Sequence, residues 1–301
     1  VIDRLAWVTA RGARGRDDDE PPALAALAAA GVRVDVVDWD DPAVPWDAYD
    51  RAVLRSTWDY PERLGEFLAW LDAVGAATEL RNPPDVVRWN VDKHYLAELA
   101  AAGLPDVASA FAEPGTAPAF PGGEFVVKPA VGAGSRDAAS YGPDQHDVAA
   151  AHVARLHGRG ASVVLQPLLA SVARDGEWPL VFLDGAYSHA ASKRVRLPRA
   201  GVVDGLFAAE ANTPHTADAG QLAAMVERAR REPPPDRRAA VRGGARARRG
   251  RRRRGARRRP RRAAPGAGTV VGWADRAAGA NCCRGAAARL RHREPPDRDR
   301  R

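Results

Sequence analysis

Apolar positions in the first 225 residues fall into short blocks whose spacing alternates between that of strands and that of helices. Leu5-Ala6-Trp7-Val8-Thr9 reads as a first strand. The segment RGARGRDDDEPP, residues 11–22, is a polar loop broken by Gly and Pro. PALAALAAAG, from Pro22, is an Ala/Leu helix closed by Gly31. Residues 32–37 alternate and then run apolar, as a buried parallel strand does, and Ala52-Val53-Leu54 is a third strand. Residues 61–74 have helical spacing, with Leu64, Phe67, Leu68 and Leu71 on one face. Asn82-Pro83-Pro84 is a break. Residues 91–102 read as a helix that carries Lys93 and ends at Gly103, and 104–122 as loop. Phe125-Val126-Val127-Lys128 is a strand, 148–156 a helix, and Val163-Val164-Leu165 a strand running into Gln166-Pro167-Leu168-Leu169. Residues 180–183 and 186–190 flank Asp184-Gly185 as a hairpin.

Strands alternating with helical segments predict an α/β unit with a parallel sheet. Ligands of such sheets sit beyond the carboxyl ends of the strands. That makes Arg55-Ser56-Thr57-Trp58-Asp59-Tyr60, just after the third strand, one candidate site edge. The other reading of the same residues has Trp58 and Tyr60 in packing and Arg55 in a surface salt bridge.

Charge divides the chain in two. Of 46 Lys and Arg and 38 Asp and Glu, 26 and 7 follow Met225, which leaves 20 against 31 before it. The first 225 residues therefore carry a net −11 and the rest +19. Residues 228–301 are Arg-rich, low in complexity, and without Lys. One reading is a basic arm that holds nucleic acid through its phosphates. A second is a GC-rich coding region read out of frame, since Arg, Ala, Gly and Pro have the codons richest in G and C. A third is a disordered tail with no specific role. No apolar run approaches the roughly 20 residues of a membrane span. The opening VIDRLAWVTA is too short and polar for a signal peptide. The only cysteines, Cys282 and Cys283, are adjacent, a poor disulfide and a poor zinc site. A reducing cytoplasm is the expected location.

The chemistry gathers around FVVKPAVGAGSRD, residues 125–137, where a strand delivers one lysine to a loop of Gly, Ala and Ser. The loop lacks the P-loop spacing GxxxxGK[ST]. Around it stand RNPPDVVRWNVDK (81–93), with a second lysine, and LQPLLASVARDGEWPLVFLDGAYSHAASKR (165–194), with an acid and two terminal cations. In this order the motifs from residue 51 to residue 194 resemble those of ATP-grasp ligases, particularly the glutathione synthetase-like branch and, within it, proteins related to the cyclo-ligase of cycloserine formation.

The resemblance implies a Rossmann-like domain over 1–85, then an ATP-grasp domain in two parts, 86–165 with the Gly-rich lid and 166–227, incomplete at its C-terminal end. It also implies roles. Lys93 and Lys128 would contact ATP phosphates, and Gly132, Ala133, Gly134 and Ser135 would cover them as a lid. Gln166, Pro167, Leu168 and Leu169 would hold the adenine. Glu177 would accept from the ribose hydroxyls. Lys193 or Arg194 would stabilise the transferred phosphoryl group or hold a substrate carboxylate, and Arg55 is the candidate for a substrate carboxylate. His189 reads as a strand residue rather than a catalyst. The implied reaction joins a small-molecule carboxylate to an amine with ATP, via an acyl phosphate.

Family members place Mg²⁺ ligands on late strands. Here those strands would fall after residue 230, where Glu232, Asp236, Asp275, Asn281, Glu294, Asp297 and Asp299 lie outside any apolar strand context. No metal ligand is assigned, and weak or no turnover is the expectation for this chain. The competing class is a nucleic-acid-binding module that uses the Arg-rich tail.

Overall fold

Strand β1 (Arg4–Thr9) alternates its side chains between two apolar layers. Ala6 and Val8 enter one core with Phe67, Leu71 and Val74; Leu5 and Trp7 enter another with Ala23. That two-sided burial requires helices on both faces. Helix α1 (Glu20–Ala29) covers one and α2 (Leu64–Ala77) the other. β1 pairs in parallel with β2 (Arg33–Asp38) and β3 (Arg51–Ser56), and β3 in parallel with β4 (Glu79–Arg81), giving the order β2-β1-β3-β4. The computed structural model describes residues 2–103, 107–183, 186–195, 197–201 and 210–223. The Arg-rich segment 228–301, with every reading placed on it, lies outside the described residues, as do Asp184-Gly185 and the acids expected among the metal strands.

Two short helices, α3 (Pro84–Asn90) and α4 (Tyr95–Ala101), lead into a second sheet. It is antiparallel, in the order β5-β8-β6-β7, with β5 at Ala110–Ala112, β6 at Phe125–Pro129, β7 at Ala139–Tyr141 and β8 at Val163–Pro167. Helix α5 (His146–His157) packs on it through Ala149, Val153 and Leu156 against Phe125, Val127 and Leu165. A one-turn helix, α6 (Ala170–Asp175), precedes a third sheet, antiparallel β11-β10-β9, of β9 (Leu180–Leu183), β10 (Ala186–Val195) and β11 (Glu210–His215). No helix among the described residues is long and apolar enough to cross a membrane.

The α/β class and the parallel first sheet are as expected, and several local readings are corrected. The helix expected over 61–74 begins at Leu64, because Tyr60–Glu62 forms a separate 3-10 turn. The helix expected over 91–102 begins only at Tyr95, as α4, and a separate helix, α3, precedes it; between them Asp92 bridges to Val131 and the Lys93 amide donates to Ala130 O at 3.0 Å. The stretch 104–122, read as loop, contains β5. Its pairing to β8 is non-local, and three residues carry too little periodicity to announce it.

Candidate functional site

Strand β6 alternates strictly. Phe125 and Val127 are fully buried against α5, so Val126 and Lys128 face the other way. On that side lies a cleft of about 740 Å³, within the size range of nucleotide and cofactor sites. Its walls come from four places: α4's approach, the loop after β6, the end of β8 with α6, and the third sheet.

Of the residues singled out from the sequence, Lys93, Lys128, Gly132, Ala133, Ser135, Gln166, Pro167, Leu168, Leu169, Glu177, Lys193 and Arg194 all line this cleft. Gly134 and Arg55 do not. Arg136 lines it too and was missed, although it directly follows Ser135. Among the described residues the cleft carries five cations, Lys93, Lys128, Arg136, Lys193 and Arg194, against the single carboxylate of Glu177. Such a field suits a polyanion. Val107, Val126, Val172 and Leu197 supply apolar surface beside Leu168 and Leu169.

The glycine-rich loop is tightly held. Gly134 and Ser135 adopt left-handed φ angles of 63° and 61°. Lys93, almost wholly buried, donates its ammonium to the carbonyls of Ala130 and Gly132, each at 3.3 Å. At the far end Asp137 accepts from Arg155 at 2.8 Å and Arg159 at 3.2 Å. The lid expected from the sequence is here a docked loop, with Ala133 buried in the core of the first sheet.

At the opposite end of β8, Gln166 donates its amide N–H to Ser109 Oγ at 2.8 Å, and Ser109 in turn donates to Val107 O at 2.8 Å. This chain fixes the amide's orientation and leaves Oε1 as its acceptor. Nothing in the sequence marks Ser109, which sits in an irregular stretch. Glu177 and Lys193 form an isolated antiparallel bridge, the first side chain exposed and the second only 2% exposed. Arg194 is exposed. His189 lies on β10 beside Ser188, its Nδ1 2.9 Å from Ser188 Oγ.

Arg55 is committed elsewhere. Its guanidinium donates to Asp17 at 2.9 and 3.2 Å and to Asp19 at 2.6 Å, and both carboxylates are buried. Ser56 Oγ donates to Asp17 at 2.5 Å. Burial works against the charge on Asp17, but the hydrogen bond and charge of Arg55 prevail and hold its carboxyl below the ordinary carboxylate range. Tyr60 is buried and Trp58 packs against the same core, so the packing alternative describes this segment, with the salt bridge internal rather than on the surface. Within the polar opening loop, Asp17 and Asp19 are buried anchors.

Comparison with known proteins gives a consistent picture. The family model for the N-terminal domain of D-cycloserine synthetase DcsG matches residues 5–82. The cycloserine biosynthesis protein DcsG of Streptomyces lavendulae is 41% identical over 209 residues, 66% of this chain and 70% of that protein. The crystal structure of D-cycloserine synthetase DcsG superposes with a TM-score of 0.66 at 35% identity, covering 76% of this chain and 80% of that one. D-alanyl-alanine synthetase A from Vibrio cholerae O1 shares the fold at a TM-score of 0.51 and 12% identity, over 76% of this chain and 79% of that one.

Proposed function

The chain belongs to the ATP-grasp ligase family of the cycloserine biosynthesis protein DcsG, and from that premise we propose that it activates the carboxylate of an amino-acid-like small molecule with ATP and passes the acyl group to an amine or related nucleophile. The observation that carries this reading is the convergence of Lys93, Lys128, Arg136, Lys193 and Arg194 on one cleft that also has apolar surface from Val107, Val126, Val172 and Leu197.

A carboxylate oxygen of the substrate attacks the γ-phosphorus of ATP, the bond to the β,γ-bridging oxygen breaks, and ADP leaves. The nucleophile then attacks the acyl carbon, phosphate departs, and the nitrogen loses a proton. Little of this needs a protein base, so the chain's contribution is positioning and charge stabilisation. Lys128 and Lys193 meet the phosphates as compact point charges. Backbone N–H groups of Gly132 to Ser135 approach them with little side-chain hindrance. Gln166 to Leu169 border the adenine, and Glu177 accepts from the ribose. On this reading the pre-grasp domain ends near residue 85 and the two parts of the grasp meet near residue 165. Arg55, held by Asp17 and Asp19, supports the framework of the substrate side rather than a carboxylate contact.

Mg²⁺, which family members use with ATP, would need a set of oxygen ligands. Among the described residues no group of three or more His, Cys, Asp or Glu is placed to hold a metal, and Glu177 is the one carboxylate lining the cleft. These residues do not fit the ion, and no step is assigned to it.

Calorimetry with ATP, combined with ADP release in the presence of amino-acid carboxylates, tests the proposal. Binding that depends on Lys128 and weak, carboxylate-dependent ADP release are expected. A protein with no affinity for ATP overturns the reading. D-cycloserine, for which relatives are named, is the first product to seek.

A further inference from the structure

Two side chains outside the cleft hold the glycine-rich loop from the neighbouring sheet. The hydroxyl of Tyr60 donates to Gly132 O at 3.2 Å, and Glu62 forms an ion pair with Arg136. Neither Tyr60 nor Glu62 borders the cleft, whereas Gly132 and Arg136 both do. Between these two contacts Ala133 is buried in the same apolar cluster as Tyr60, Phe67 and Trp39, and Val131, just before Gly132, packs against it. The turn that carries Tyr60 and Glu62 is itself well anchored: Trp39 Nε1 donates to Asp59 at 2.9 Å, and the Tyr60 ring lies 5.3 Å from that of Phe67.

A loop with two glycines is costly to order. If the ligand had to order it, that cost would be subtracted from affinity. A loop already fastened at Gly132 and Arg136 offers its N–H groups in place.

We propose that Tyr60 and Glu62 are positioning residues that fasten the phosphate loop, so that the first sheet sets the phosphate affinity of a cleft it does not itself line through them. This rests on the reading of the loop as the phosphate-binding element.

Three measurements on the full chain test it: hydrogen exchange of residues 131–137 without nucleotide, and equilibrium binding of ATPγS and of adenosine. They are made for the wild type, Tyr60→Phe, Glu62→Gln and Lys128→Met. Glu62 is exposed, so its variant folds even if the buried Tyr60 does not tolerate change. Both turn variants are expected to speed exchange in the loop and to weaken ATPγS, about fivefold for the Tyr60 hydrogen bond and about twofold for the exposed Glu62 ion pair, with adenosine unaffected. Unchanged loop exchange, or an equal loss for adenosine, overturns the proposal. ATPγS weakened by Lys128→Met but not by the turn variants sinks it alone and leaves the phosphate site standing. Wild-type protein that binds ATPγS no more tightly than adenosine overturns the phosphate reading and the proposal with it.

Discussion

Glu177 and Lys193 exchange backbone hydrogen bonds at 2.8 Å in both directions, while both residues line the same cleft. The bridge depends on the residue before it. Gly176 sits at φ 83°, ψ −170°, a region open essentially to glycine, and a Cβ there would lie 2.8 Å from Lys193 O. Gly176→Ala is expected to destabilise the fold by about 1–3 kcal/mol in urea unfolding. It should also weaken ATP binding by displacing Lys193. Wild-type affinity and stability together would show that the bridge does not set the position of Lys193.

Lys128 faces the cleft from β6, across from Val164 of β8. Lys128→Met keeps the length of the stem and removes the charge with its N–H donors. ATP affinity should fall about 10- to 100-fold, the range for one charge-assisted contact. Calorimetry reads this loss directly.

Arg55 is ion-paired to two buried carboxylates, Asp17 and Asp19. Arg55→Ala strands that negative charge and is expected to cost about 3–5 kcal/mol of stability. Because Asp17 titrates below its ordinary value in the folded protein, the pair's contribution is present above that ordinary value and is lost as pH falls through the folded one. An Arg55→Ala protein of wild-type stability with a raised KM for a carboxylate substrate would return Arg55 to the substrate site.

His152 is buried beneath the second sheet, its Nδ1 2.8 Å from the Tyr141 hydroxyl. Burial, aided by the charge of Arg155, pushes its pKa down from 6.5 to about 4. The unfolded chain therefore takes up this proton first. Stability from this group is whole above about 6.5 and is lost as pH falls toward 4, by on the order of 3 kcal/mol in all. Urea unfolding at pH 7 and pH 4.5 should show this slope in the wild type and a shallower one in His152→Gln. Equal slopes would remove His152 as the cause.

The cleft was legible in the sequence because its chemistry is local. Lys128 and the loop after it are one continuous run, and Gln166–Leu169, Glu177 and Lys193 follow in short succession. What escaped notice depends on distant pairings. Asp17 looks like a surface acid until β3 brings Arg55 to it, 38 residues away in the chain. The break at Lys93 is invisible to helical periodicity, because a bridge to Val131 causes it. Likewise nothing near Tyr60 announces a partner at Gly132, 72 residues on.

Strands β6 and β8 pair in a fixed register, Val126 with Gln166 and Lys128 with Val164. Lys128 and the Gln166 end of the cleft are thus separated by two residues of strand, about 7 Å. This spacing is a ruler made of backbone hydrogen bonds, and no side chain can lengthen or shorten it. Substitutions can retune how strongly each end of the cleft grips. Only a slip of the whole ladder, which would turn every core residue of β6 outward, could change the length of molecule it measures.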